Sequence, residues 1–248
     1  MRNLSRLPPS HGYLDKQEGA GVALRLASYN LHKCRGMTGP HAPERNLEVI
    51  AGLGADVVAL QEVDFRFGAR PEALPRGLVR DATGLVPADF SCTGSQSLGW
   101  HGQTVLLRPE LAGAAVVRRL PLPGIEPRGA IALRLPGLTV VAVHLGLARS
   151  SRRAQLARLV AQAARIGAGP VALMGDFNEW SDDCGLEPLA GWQVVAPGPT
   201  WPAPLPRLRL DRFALTRDIR VRGTGVQDDD AARRASDHLP IWAEIDLP

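Results

Sequence analysis

Lysine is nearly absent from this chain. Of its 29 basic residues only Lys16 and Lys33 are lysines, and the rest are arginines. The formal net charge of +4 is therefore carried by guanidinium groups spread along the sequence. A basic balance favours anionic partners such as nucleic acid, phosphate or a membrane surface. Here arginine is enriched together with alanine, glycine and proline, so compositional bias accounts for most of it. A basic nucleic-acid-binding module would cluster its charges among aromatic residues. These arginines are dispersed, and aromatics make up only 5% of the chain.

Cysteine is scarce as well. Cys34, Cys92 and Cys184 are an odd number with no CxxC pair. That excludes a fully paired disulfide framework and argues against a zinc ribbon. A reducing, cytoplasmic setting is the expectation. No window approaches the roughly 18 apolar residues of a membrane span. The longest candidate, 138–148, has the length of a strand and contains a histidine. The early arginines are followed by no apolar stretch of the kind that marks a secretory signal. With 45% apolar and 22% charged residues, the composition is that of a folded chain, not a disordered one. The 248 residues suffice for one large domain or two small ones with a sizeable core. No linker or repeat divides them. Residues 1–20 read as a flexible lead-in, 21–248 as a single domain, and a monomer is the default state.

The periodic segments alternate between strands and a few helices. Residues 24–30 read as a strand with Leu24, Leu26, Ser28 and Asn30 on one side. Residues 43–53 read as a helix, opened by Pro43 and stopped by Gly52 and Gly54. Residues 151–166 are the clearest helix. Leu156, Leu159, Val160 and Ala163 form its stripe, and Arg152, Arg153, Arg158 and Arg165 are assigned to solvent. Further strands are expected at 56–62, 104–107, 130–135, 138–145, 171–176, 210–216 and 240–246, with a proline-rich loop at 197–206. Many strands and few helices predict an α/β (α+β) fold with a mixed, mainly antiparallel double sheet covered by helices.

Several of these apolar runs stop abruptly at a carboxylate, amide or imidazole. They end at Asn30, Glu62, His144, Asp176 followed by Asn178, and Asp211, while Asp237-His238 precedes the last strand. An acid beside an apolar strand costs free energy unless it is paired or metal-bound. Singly, each has an ordinary reading: a cap, a turn residue, a satisfied core histidine, or for Asp211 an ion pair with Arg209 or Arg212. Jointly they point to one rim built from distant parts of the chain. Parity places Glu62 in the row of Val58 and Leu60. The i, i+2 spacing of Asp176 and Asn178 places both on one side of an extended backbone.

Taken in order, "SYNLHKCRG", "VVALQEVD", "VVAVHLGL", "ALMGDFNEW", "RLRLDRFALT" and "SDHLPIWAEI" resemble the motifs of the endonuclease/exonuclease/phosphatase superfamily over residues 24–246. The resemblance implies a four-layer αββα sandwich, two mixed sheets packed face to face with helices outside. It also implies a divalent metal, usually Mg²⁺ with Mn²⁺ as the alternative, and cleavage of phosphoester bonds. Residue by residue, it implies that Asn30 helps hold the phosphate or a metal water and that Glu62 is the principal metal carboxylate. His144 would contact the scissile phosphate, Asp176 would orient or deprotonate the attacking water, and Asn178 would be its partner amide. Asp211 would buttress His238, the terminal catalytic histidine, and Asp237 would be a metal-proximal acid. The segment from Gly102 to Arg108 departs from the Gly-Asn-Ala pattern of many relatives, which weakens any transfer of substrate contacts there.

The chemistry asks for these residue types on its own terms. A phosphodiester anion repels hydroxide, so a hard cation with oxygen ligands must neutralise it. Attacking water needs a positioned acceptor, and a histidine oriented by a carboxylate can donate a proton or stabilise charge. Lys33 and Arg128 are weaker candidates for contacts to the substrate phosphate. The expectation is a metal-dependent phosphodiesterase, with nucleic acid among its substrates. A phosphomonoesterase or a lipid-head-group phosphodiesterase of the same fold is the alternative. A non-catalytic binding protein on this fold is the rival from another class.

Overall fold

The computed structural model describes residues 22–90, 92–166 and 169–248. The lead-in expected over 1–20 lies outside the described residues. In chain order the structure opens with β1 (Ala23–Asn30), α1 (Pro43–Gly52), β2 (Val57–Gln61), α2 (Arg76–Thr83) and β3 (Val86–Pro87). Then come β4 (Gln103–Leu107), α3 (Pro109–Ala112), β5 (Val116–Leu122), β6 (Arg128–Leu135), β7 (Leu138–His144) and α4 (Arg149–Ile166). The remainder is β8 (Val171–Asp176), β9 (Gln193–Val195), β10 (Asp211–Leu215), β11 (Arg220–Val226), α5 (Asp230–Ala235) and β12 (Ile241–Asp246).

The strands form two six-stranded sheets, ordered β11-β12-β1-β2-β4-β3 and β5-β6-β7-β8-β10-β9. Among the described residues only β1–β2 and β7–β8 pair in parallel, and every other neighbour is antiparallel. A parallel pair needs a crossover, and α1 and α4 supply the two. Both sheets therefore repeat one pairing pattern, although the sequence shows no repeat.

Alternation along the strands sorts the core into three layers. Leu24, Leu26, Val57 and Ala59 from one sheet meet Val140, Ala142, Met174 and Phe213 from the other. On the outer side of the first sheet, Tyr29, Val58 and Leu60 pack under Leu47 and Ile50 of α1, Val79 of α2 and Ala232 of α5. On the outer side of the second, Val141, Val143 and Leu173 pack under Leu156, Leu159 and Ala163 of α4. Each fully buried aliphatic side chain stabilises by about 1.5–3 kcal/mol. The expected double-sheet sandwich with helices outside is the observed fold.

Two differences from the sequence reading have physical causes. Edge strands β5 and β11 escaped it because each pairs on one side only. β5 has exposed and half-buried residues but none fully buried, and it tolerates Pro121, which an interior strand would reject. Arg152, assigned to solvent, is 1% exposed. It lies on the inward side of α4's first turn and is neutralised there by Glu179. A helical stripe read from hydropathy cannot register a buried ion pair.

Gly175 sets the spacing of the two strands that deliver His144 and Asp176. A Cβ there would stand 1.9 Å from the Val143 carbonyl oxygen, and its φ is +154°. Only glycine lets the chains approach so closely. Gly175→Ala is expected to cost about 1–3 kcal/mol by overpacking and to push β7 and β8 apart. Urea denaturation measures it; unchanged stability would contradict the close approach.

Candidate active site

Three polar residues stand abreast on the second sheet. His144 is opposite Asp176 across the parallel β7–β8 pair, and Asp211 is opposite Asp176 across the antiparallel β8–β10 pair. Each ends a row that faces the other sheet: Val140-Ala142-His144, Ala172-Met174-Asp176 and Leu215-Phe213-Asp211. Asn30 ends the row of Leu24 and Leu26 on the first sheet. Its Nδ2 donates to Asp176 Oδ2 at 3.1 Å, joining the two sheets at the rim.

His238 closes the group from the segment after α5. Asp229 caps that helix by accepting from the Ala232 N–H at 2.8 Å. At its other end Ser236 donates to the Asn30 carbonyl at 2.6 Å and accepts from the His238 N–H. The His238 ring lies with Nδ1 2.8 Å from Asp211 Oδ2 and Nε2 3.8 Å from Asp176 Oδ2. Burial works against charge on this ring, but Asp211 and then Asp176 outweigh it and raise its pKa well above the ordinary value. Burial also raises the Asp176 carboxyl, with His238 opposing and Asp211 reinforcing the shift. His144 goes the other way. Burial, then Arg128, lowers it to about 3, so it is neutral at pH 7 although its Nε2 is 3.4 Å from Asp176 Oδ2.

Thr200 was invisible in the sequence, where it is one residue of a proline-rich loop. Its hydroxyl is buried and donates at 2.6 Å to Asp211 Oδ2, the oxygen that faces His238. Thr200→Val removes this donor inside a buried network. A loss of about 1–3 kcal/mol is expected, read as a lower urea midpoint at unchanged slope. A midpoint equal to wild type would remove Thr200 from the network.

Glu62 reaches the cleft by a route parity did not foresee. Val58 and Leu60, its row in an extended strand, face the helices. The strand ends at Gln61, and Glu62 itself turns into the left-handed region with φ 56°. That turn brings its carboxylate to the Lys33 ammonium. His32, Lys33 and Cys34 are also left-handed, with φ of 46°, 57° and 56°. Such residues cost about 1–3 kcal/mol each and persist where the surroundings impose them. Here the Lys33 N–H bonds the Glu62 carbonyl at 3.1 Å. Burial opposes charge on Glu62, yet its positive neighbours hold the carboxyl at about 2.

The other expected residues are placed as follows. Asn178 is not extended: it is left-handed (φ 51°), its N–H bonds Asp176 Oδ1 at 2.8 Å, and its amide donates to the Leu145 carbonyl at 2.9 Å. It holds the Asp176 carboxylate through its backbone. Asp237 accepts from Trp201 Nε1 at 3.4 Å and faces His32 Nδ1 at 3.7 Å. Arg128 lines the cleft beside His144 and Lys33. Asp211 does not pair with Arg209 or Arg212; both of those bind Asp182.

The donor set suits a hard cation. Among the described residues Asp211 Oδ1 is buried without a hydrogen-bond partner. Asp176 and Asp211 each place a carboxylate oxygen within 4.8 Å of the other and of the His238 ring, which as an imidazolium is not itself a ligand. Glu62 already attracts an ammonium group. Oxygen donors of this kind fit Mg²⁺ or Mn²⁺ better than a thiophilic metal.

Comparison with known proteins gives matches in sequence and in fold. The profile of the Endonuclease/Exonuclease/phosphatase family matches residues 27–238, which include every residue of the rim. The uncharacterized protein YbhP of Escherichia coli K12 is 34% identical over 164 residues, covering 60% of this chain and 64% of YbhP's length. The chain thus matches less than two thirds of that relative. An endonuclease/exonuclease/phosphatase structure from Beutenbergia cavernae superposes with a TM-score of 0.67 at 22% identity, over 91% of this chain and 72% of the other. D. rerio TDP2 complexed with single-strand DNA product gives 0.65 at 17% identity, over 91% and 99%. These two likenesses speak for the fold. No helix among the described residues is long and apolar enough to cross a membrane.

Proposed function

The chain belongs to the endonuclease/exonuclease/phosphatase family, and from that premise we propose that it is a divalent-metal-dependent phosphodiesterase with nucleic acid among its substrates. The family as a whole hydrolyses phosphoester bonds, generally with a divalent metal. One observation carries the reading. Asp176 is buried at the rim with Asn30, His144 and His238 around it, and His238 is backed by Asp211.

In this reading Asp176 accepts the proton of the attacking water, held in place by Asn30 and the Asn178 N–H. His238, charged and fixed through Nδ1 by Asp211, offers Nε2–H to the developing oxyanion or leaving group. Neutral His144 donates a hydrogen bond to a phosphoryl oxygen without adding a competing charge. Mg²⁺, or Mn²⁺ in its place, would be held by Glu62, Asp237 and Asn30 and would neutralise phosphoryl charge. Residues 21–248 act as one catalytic unit and as a monomer in this proposal. The three cysteines are free, which suits a reducing, cytoplasmic compartment.

The single-strand DNA product bound by D. rerio TDP2 supports nucleic acid as the first substrate to try. The test is hydrolysis by the purified chain with Mg²⁺, Mn²⁺ or EDTA. The panel holds single- and double-stranded DNA, RNA, a chromogenic phosphodiester, a phosphomonoester and a phospholipid. Activity on a diester that EDTA abolishes is expected. Inactivity on the whole panel, or equal activity of the Asp176→Ala and His238→Ala proteins, would overturn the catalytic reading.

A further inference from the structure

The cleft beside the reaction centre extends past the residues used so far. From Lys33, Glu62 and His144 it runs to Arg66, Arg70, His101 and Arg128. It encloses about 200 Å³. Pockets that take a whole drug-sized ligand measure roughly 300–1,000 Å³, so this one fits a single small group of a larger substrate.

Its wall carries four cationic side chains, Lys33, Arg66, Arg70 and Arg128, against three acids, Glu62, Asp64 and Glu126. The acids in its wall are already engaged. Glu62 faces Lys33, Glu126 takes Arg128 and the Leu147 N–H, and Asp64 takes the Leu98 and Gly99 N–H groups. No ion pair among the described residues involves Arg66 or Arg70.

Arg128 is held in position by its own ion pair, and the turn that carries Arg66 and Arg70 is fixed through its backbone. Arg128 is 9% exposed, and its Nε and Nη2 both donate to Glu126 Oε2, at 3.2 and 2.9 Å. Arg70 stands at a left-handed position (φ 50°), and its carbonyl accepts from Ser97 Oγ at 2.7 Å. The Phe65 N–H ties the start of the same turn to the Pro71 carbonyl at 2.9 Å. Phe67, 83% exposed, sits in the turn between Arg66 and Arg70. Guanidinium groups suit phosphate, and an excess of positive charge in a concave wall attracts anions.

We propose that this cleft binds a second anionic group of the substrate, a phosphate one unit away from the scissile phosphoester, held by Arg66, Arg70 and Arg128. That the neighbouring phosphoester is cleaved rests on the hydrolase reading above; the anion site itself does not. The same chemistry comes from two sources, the next phosphate of a nucleic-acid strand or a phosphorylated lipid headgroup.

The test is calorimetric binding to the full chain in EDTA. The probes are thymidine 5′-phosphate, thymidine 3′,5′-bisphosphate, a single-stranded thymidine hexanucleotide and glycerophosphoinositol 4-phosphate. Wild type is expected to bind the bisphosphate about tenfold more tightly than the monophosphate or better. In the Arg66→Gln/Arg70→Gln protein the ratio should fall to about twofold or less. Arg66→Lys/Arg70→Lys, which keeps the charge and loses the fork, should retain part of the preference and shows that the loop still folds. Preference for the hexanucleotide assigns the second phosphate to a strand, and preference for the inositol phosphate assigns it to a headgroup. With the hexanucleotide, the salt slope should drop by roughly 0.7 for each phosphate that the variant no longer neutralises. No preference in wild type, or an undiminished one in the glutamine variant, overturns the site. Preference without hydrolysis of any panel substrate supports the anion site and overturns the hydrolase reading instead.

Discussion

Asp176→Asn is expected to lower kcat for a phosphodiester by about 10²–10⁴-fold, the range of a lost general base, without loosening the fold. The amide keeps the volume of the side chain and can still accept the Asn178 N–H at Oδ1. It cannot accept a proton from water. Its NH₂ group would also face the Asn30 amide that now donates to Oδ2. Stability should be maintained or increased, because Asp176 and Asp211 are both buried acids around one imidazole, and a buried charge that serves catalysis opposes folding. Steady-state hydrolysis and thermal melting read the two effects separately. The Asp176→Asn/His238→Ala protein should be barely worse than the weaker single variant, since groups acting as a unit are not additive. A single variant within about tenfold of wild type would remove Asp176 from the chemistry.

Glu179→Ala is expected to be the most destabilising change at the rim, by about 3–5 kcal/mol. Glu179 and Arg152 are both 1% exposed. Arg152 Nη2 donates to Glu179 Oε2 at 2.7 Å, and Arg149 adds two hydrogen bonds of 2.9 Å from its half-exposed position. Without the carboxylate, Arg152 is a buried charge with the Gly146 and Leu147 carbonyls and the Trp180 ring left to it. At roughly 2–4 °C per kcal/mol for a chain of this size, the melting temperature should fall by about 6–20 °C. The pH dependence has a definite sign. Burial raises the Glu179 carboxyl, but its hydrogen bonds to Arg149 and Arg152 lower it further, to about 2. A depressed folded value means that the stabilisation is complete above the ordinary carboxylate range and is lost as pH falls toward 2. The gap between wild type and Glu179→Ala should therefore narrow below about pH 4. Melting temperatures within about 2 °C at neutral pH would contradict the buried pair. The loss should reach the cleft too. Arg152 fixes the Leu147 segment, whose N–H bonds Glu126, the residue that orients Arg128.

The chain's own pattern determined the two-sheet fold and the identity of the rim. Strand rows such as Leu24-Leu26 and Ala172-Met174 alternate cleanly because one face meets the other sheet. A polar residue that ends such a row must lie at the edge of the interface. Asn30, His144, Asp176 and Asp211 were legible for that reason, Glu62 was legible as the polar end of an apolar run, and Asp237-His238 as the polar entry to the last strand. The scarcity of lysine now has a local meaning, since Lys33 is the ammonium that faces Glu62.

Tertiary structure decided the rest, where a side chain's role depends on partners far along the chain or on a backbone turn that hydropathy does not encode. Thr200 acts through Asp211 and Arg152 through Glu179, and neither partner is near it in sequence. Glu62 enters the cleft because one residue turns left-handed, which moves it off the row that alternation assigns. Arg66 and Arg70 look like two more arginines in an arginine-rich chain. Only the folded cleft shows that the neighbouring acids are engaged and that these two face the same space as Glu62 and His144. Local periodicity reports which face of an element is buried; which charges cancel inside that burial is settled by contacts between elements.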